Sequence, residues 1–169
     1  MTMIVLNLIH ILAGVFWAGA ILFLALFVGP AVNAAGPAGG AFMHKLMTET
    51  RFSMAIALGG VLTVLTGLVM YWLVSNAFSS NWILTGHGLA ITLGGVAGIL
   101  AAVVGATVSK RANLRISALA AEIQTSGKPP SDVQQSELQN LKKKMRMGST
   151  LSALLVLIAL TGMALARSL

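Results

Sequence analysis

Apolar positions along this chain gather into three long runs that no formally charged side chain interrupts. Residues 1–43 contain no Asp, Glu, Lys or Arg, nor do residues 52–109, nor residues 147–166. Because a helix needs ~20 apolar residues to cross the hydrocarbon of a bilayer, the outer runs predict one span each and the middle run predicts two. The break in the middle run is Ser75-Asn76-Ala77-Phe78-Ser79-Ser80-Asn81-Trp82, small and polar. Tyr71, Trp72 and Trp82 flank it as an aromatic belt does at a membrane boundary. The predicted spans are residues 3–29, 50–74, 86–109 and 147–167. The first is expected to stop at Gly29-Pro30, where proline breaks the hydrogen-bond ladder. No charge precedes its apolar run, so the pattern predicts a retained helix rather than a cleaved signal peptide.

Past the third span the helical pattern continues, with Ile116, Leu119 and Ile123 on one face. Gly127-Lys128-Pro129-Pro130 then makes a stop and Ser131-Asp132 a new helix start. Leu138, Leu141 and Met145 repeat the apolar spacing on the return. Residues 110–146 therefore predict two helical arms, each continuous with a span, which bury these stripes against each other. The fold expected is all-α and integral to the membrane: one domain over residues 1–169, an antiparallel four-helix transmembrane bundle with a cytoplasmic helical hairpin between helices 3 and 4.

Composition agrees with a membrane chain, at 57% hydrophobic and 9% charged residues against ~25% charged in soluble domains. Charge adds orientation. Lys45, Arg51, Lys110, Arg111, Arg115, Lys128, Lys142, Lys143, Lys144 and Arg146 fall on one side of an alternating bundle, and only Arg167 on the other. The positive-inside rule then places the hairpin in the cytoplasm and both termini outside, in the inner membrane of a bacterium. The net charge of +7 is read as topological, with anionic lipid headgroups as the partner for Lys142-Lys143-Lys144 and no nucleic acid expected.

Small residues recur where helices would cross. Gly94, Gly98 and Ala102 stand four apart on the third helix, and Gly60 and Gly67 lie on the second. In lipid such residues let backbones approach closely; close approach to a flat cofactor is the alternative use.

Few residues are left to carry chemistry. The chain has no cysteine, which excludes disulfides, thiolate metal sites and cysteine nucleophiles. No span carries a charged residue at its middle, so proton relays and ion-coupled transport lack their usual groups. Paired carboxylates, a P-loop and hydrolytic triads are missing as well. Histidine remains. His10 lies within the first span with Asn7, Gly14 and Trp17 on its face, and His87 opens the third between Gly86 and Gly88. Two neutral imidazoles facing across a bundle suit the axial positions of a haem iron, with Gly14 and Gly94 leaving room for the ring. Met70 and Met163 are alternative sixth ligands on the same side. His44, among Met43, Met47 and Met54, offers the imidazole and thioethers that suit Cu(I), although methionine is also an ordinary filler of apolar packing.

The segment Leu8-Ile9-His10-Ile11-Leu12-Ala13-Gly14-Val15-Phe16-Trp17-Ala18-Gly19, running on to Phe27-Val28-Gly29-Pro30, resembles the opening helix of CopD-type copper-resistance membrane domains and related small haem-associated four-helix membrane proteins. Arg51-Phe52-Ser53 and the two glycine-rich helices that follow extend the resemblance over residues 1–110. It implies a membrane helix bundle with His10 as a haem or metal ligand and leaves the partner ligand unnamed. HemJ-type protoporphyrinogen oxidases share the His-to-Trp opening more distantly, but they carry an arginine along the first helix. Here no Arg precedes Arg51, and Asn7 stands in the expected basic position.

Two classes of function follow as expectations. One is a small membrane protein holding haem b and passing electrons near the outer surface, to or from a quinone or a redox protein, and membrane oxidoreductase activity would belong with it. The other is an accessory or structural subunit, or a copper-handling protein without haem, whose helices mainly pack in a homo-oligomer or a larger membrane complex.

Overall fold

The computed structural model describes residues 1–169, the Ser109 side chain excepted, and the described residues are helical throughout apart from short turns. Four helices are long and apolar enough to span a membrane: α1 (Thr2–Ala34), α3 (Phe52–Val74), α5 (Gly86–Ser126) and α6 (Asp132–Leu165). Between them lie α2 (Gly36–Thr48) and the single turn α4 (Ser80–Ile83).

The first helix does not end at Gly29-Pro30. It passes through a π turn at Leu24–Val28 and continues to Ala34. In that wider turn the Gly29 amide reaches back to the Leu24 carbonyl, so the ladder has already slipped by one residue where Pro30 would otherwise interrupt it. The chain reverses one turn later at Gly36, whose φ of +57° suits a residue without a Cβ. A second departure from the sequence pattern follows, because the stretch expected as a loop is the helix α2. Gly39 lets α2 fold back on α1, since a Cβ there would collide with the Val32 backbone.

The hairpin forms as its pattern predicts. Lys110–Ser126 continues α5 through a π turn at Gly105–Ser109, and α6 runs unbroken from Asp132. Gly127 takes φ +62° at the stop. Ser131 accepts from the Gln134 amide while the Gln134 side chain bonds back, a reciprocal cap. Leu119 is 1% exposed, whereas Ile116, Ile123, Leu138, Leu141 and Met145 are half-buried around it. Arg115 clasps Glu137 at 2.7 Å and Glu122 at 3.3 Å; the Glu137 hydrogen bond, more than the neighbouring charges, raises its already high pKa.

Packing is pairwise, α1 on α3 and α5 on α6, with α1 also touching α6 and α3 touching α5. The two pairs meet in a core of Trp17, Ala18, Ala101 and Val156, flanked by Ile21, Leu22, Ile56 and Leu155. Most large apolar side chains point away from it: Leu12, Val15 and Leu93 are each more than three-fifths exposed. In water so continuous an apolar surface would drive aggregation; in hydrocarbon it is the surface a spanning helix requires.

At the end of the bundle holding the 75–85 turn, Asn76, Ala77 and Phe78 are three consecutive left-handed residues. Buried Ser75 supports them, accepting the Phe78 amide on its hydroxyl at 3.0 Å. Phe78 and Trp82 both pack on Tyr71.

Candidate functional site around His10

His10 stands on the α1 face that meets α3. The ladder of that face begins with the Trp17 indole over Gly60, continues with Gly14 against Thr63 and ends with the His10 ring over Gly67. Gly67 is what admits the ring, since a Cβ there would lie 2.9 Å from His10 Cε1.

Hydrogen bonding fixes the tautomer of this imidazole. Nδ1 lies 2.9 Å from the Thr63 carbonyl and 3.2 Å from Thr66 Oγ1. A carbonyl only accepts, and the Thr66 hydroxyl spends its own proton on the Leu62 carbonyl at 2.6 Å. Nδ1 therefore carries the hydrogen, and in the neutral imidazole Nε2 keeps the lone pair. Among the described residues nothing bonds Nε2, and no buried side-chain nitrogen or oxygen lacks a partner, so this atom is not sealed off. A metal-binding histidine is held in the same way, its second nitrogen bonded to a carbonyl that orients the ring and raises its basicity.

His87 is pinned likewise but elsewhere. Its Nδ1 donates to the Ala166 carbonyl at 2.7 Å, tying the start of α5 to the end of α6. Its ring meets Trp82 edge-on at 5.8 Å. Gly88 allows the tight entry, because a Cβ there would strike the Trp82 carbonyl.

The structure does not bring the two histidines together. Trp82 packs on Tyr71, whose hydroxyl bonds Thr92 at 2.7 Å, and Tyr71 is one turn from Gly67 beneath His10. Counted through that bond, His10 and His87 differ in depth by roughly nine residues, or ~14 Å at ~1.5 Å per helical residue. Two imidazoles on one metal, each at ~2 Å, would need their nitrogens within ~4 Å, whereas these two rings are anchored apart, one to Thr63 and the other to Ala166. The glycines expected to leave a slot are also occupied. Gly14 abuts Thr63, and Gly94 lies against the backbone of α6 at Ala159, Gly162 and Met163.

The thioethers fall closer to His10. Met70 is half-buried on the α3 face that carries Thr63 and Gly67. Met163 belongs to the inward stripe of α6, where Val156, Ala159 and Ala166 are 2%, 7% and 3% exposed, yet Met163 itself is 36% exposed. Its amide is beside Gly94, which puts it within about one turn of His10 in depth by the same register. His44 is exposed on α2 with Met43 and Met47 half-buried beside it, remote from this layer. Trp17 serves the core two turns away, and no group of three or more His, Asp or Glu gathers among the described residues.

Sequence reasoning missed Thr63 and Thr66. Their signal was two hydroxyls three apart in an apolar helix, one turn before Gly67, but which helix they face is a tertiary fact. No family model, curated protein or solved structure was found to match the chain.

Proposed function

We propose that this is an integral protein of a bacterial inner membrane in which His10 is a prepared ligand for a redox metal group, serving electron transfer near the outer surface. The four spans are read as an antiparallel bundle, because partner residues rise along one helix as they fall along the other: Trp17–Gly60, Gly14–Thr63 and His10–Gly67 in one pair, Ala101–Ser152 and His87–Ala166 in the other. The basic residues put both termini outside and the hairpin in the cytoplasm.

The observation that carries the reading is the Nδ1–H bond from His10 to Thr63, which leaves an unpartnered Nε2 inside an apolar span. A haem b would supply a one-electron iron couple. His10 is the residue that would hold it, and the thioether of Met163 or Met70 replaces His87 as the second candidate to do so. The apolar helices exclude water, Thr63 and Thr66 orient the imidazole through Nδ1, and His87 acts instead as a clasp between α5 and α6.

Copper(I) is the second reading. The small residues beside His10 are already filled by helix contacts, and an imidazole with thioethers suits this softer, smaller ion.

A reduced-minus-oxidised absorption spectrum of detergent-purified protein tests both. A haem band lost in His10→Ala, shifted in Met163→Leu and unchanged in His87→Ala and His44→Ala is the expected result. Copper(I) binding that depends on His10, without haem, selects the second reading. If neither group is retained, His10 is a helix-to-helix hydrogen bond and the protein is an accessory subunit.

A further inference from the structure

Two apolar hollows, each about 460 Å³, lie side by side where the π turn of α1, the helix α2 and the start of α3 converge. They share Phe23, Val28 and Phe42 as walls. Together they form one groove between the π-turn end of α1 and the folded-back α2. Its walls near α3 are Leu46 and Phe52, the sequence neighbours of Lys45 and Arg51. Both cations are exposed, and neither is in an ion pair among the described residues. Glu49 is the single carboxylate of this stretch. The turn is braced by Thr50, whose hydroxyl donates to the Leu46 carbonyl at 2.5 Å and accepts the Phe52 amide at 3.1 Å, so Lys45 and Arg51 leave a fixed base one residue from the groove-lining Leu46 and Phe52.

We infer that this groove is a binding site for one anionic phospholipid, an acyl chain lying along Phe23, Val28 and Phe42 and the phosphate meeting Lys45 and Arg51. The argument is complementarity at both ends of the ligand. An amphiphile with an apolar chain and an anionic head matches a groove whose walls are hydrocarbon and which has two exposed, unpaired cations one residue from its lining. A peptide would leave its backbone groups without partners against such walls, and a zwitterionic lipid carries a cation that Lys45 and Arg51 repel. The site rests on the membrane-spanning character of α1 and α3 and is independent of any metal at His10.

Native mass spectrometry of the detergent-purified chain, titrated with phosphatidylglycerol or phosphatidylcholine, tests it. One equivalent of phosphatidylglycerol is expected to stay bound at voltages that strip phosphatidylcholine. Lys45→Gln with Arg51→Gln should weaken that binding about tenfold, while Lys142→Gln with Lys143→Gln and Lys144→Gln should leave the tight equivalent in place. Gly19→Leu is the second probe: Gly19 lines the groove, and a Cβ there meets nothing within 4 Å, so the added side chain starts without a clash and projects bulk at the hollow. It should reduce retention of both lipids. Equal retention of the two lipids by the unmodified protein, or tight binding untouched by both the Lys45–Arg51 and the groove variants, overturns the inference. Either result leaves the membrane reading standing, because that is read from extraction into detergent and not from lipid preference.

Discussion

His10 lies over Gly67 with so little clearance that a methyl group on residue 67 would come within 2.9 Å of the imidazole Cε1. The imidazole cannot simply swing away, because its Nδ1 is committed to the Thr63 carbonyl one turn along the same helix. Gly67→Ala should therefore separate α1 from α3 or break the His10 bond, at a cost of ~1–3 kcal/mol from overpacking. Thermal unfolding in detergent measures it. A melting temperature equal to the parent's would mean that the contact is not made in the folded protein.

The crossing of α5 and α6 is tighter still. A Cβ on Gly162 would approach the Ala90 carbonyl to 2.8 Å and Gly94 Cα to 3.0 Å, and backbone has no rotamer with which to yield. Gly162→Ala is expected to be at least as damaging as Gly67→Ala, whereas Gly95→Ala, whose Cβ meets nothing within 4 Å, should be neutral or gain up to ~1 kcal/mol from helix propensity. Comparing the two in the same detergent removes any general effect of adding a methyl group to α5 or α6. Equal losses in both would refute the assigned crossing.

Leu119 is the most deeply buried side chain of the hairpin arms. Leu119→Asp forces a carboxylate into the seam between the arms, a change on the order of ~3 kcal/mol or more where the charge has no partner. Limited proteolysis near Gly127 should become faster, while the spans, which share none of this seam, stay intact. Leu114→Asp, at a site 60% exposed, is the control and should leave the digestion pattern unchanged.

Orientation has its own test. With single cysteines introduced into this cysteine-free chain, Lys142→Cys should react with an impermeant maleimide only after the membrane is opened, and Asn81→Cys should react in intact cells. Labelling of position 142 from outside would reverse the assignment.

The sequence by itself determined the elements that solvent chooses. Charge-free runs long enough to cross hydrocarbon marked four spanning helices, and Gly127-Lys128-Pro129-Pro130 and Ser131 marked where the arms turn, because hydropathy, a left-handed glycine and a capping hydroxyl act locally. The stripe through Leu119 was legible for the same reason. Other features depended on which surfaces meet. Pro30 reads locally as a stop, and only a π turn together with the folded-back α2 lets the helix continue past it. His10, inside a span, and His87, at the opening of one, were both candidate ligands in the sequence. The register of α1 on α3 and of α5 on α6 gave them different partners and different depths. Thr63 and Thr66 were two unremarkable hydroxyls until packing put them under an imidazole, and Met163 was one methionine among nine until its stripe proved buried on either side of it. Helical period and hydropathy are properties of one segment. The depth at which two segments meet is set by the small residues that let them touch, and that is decided only in the assembled bundle.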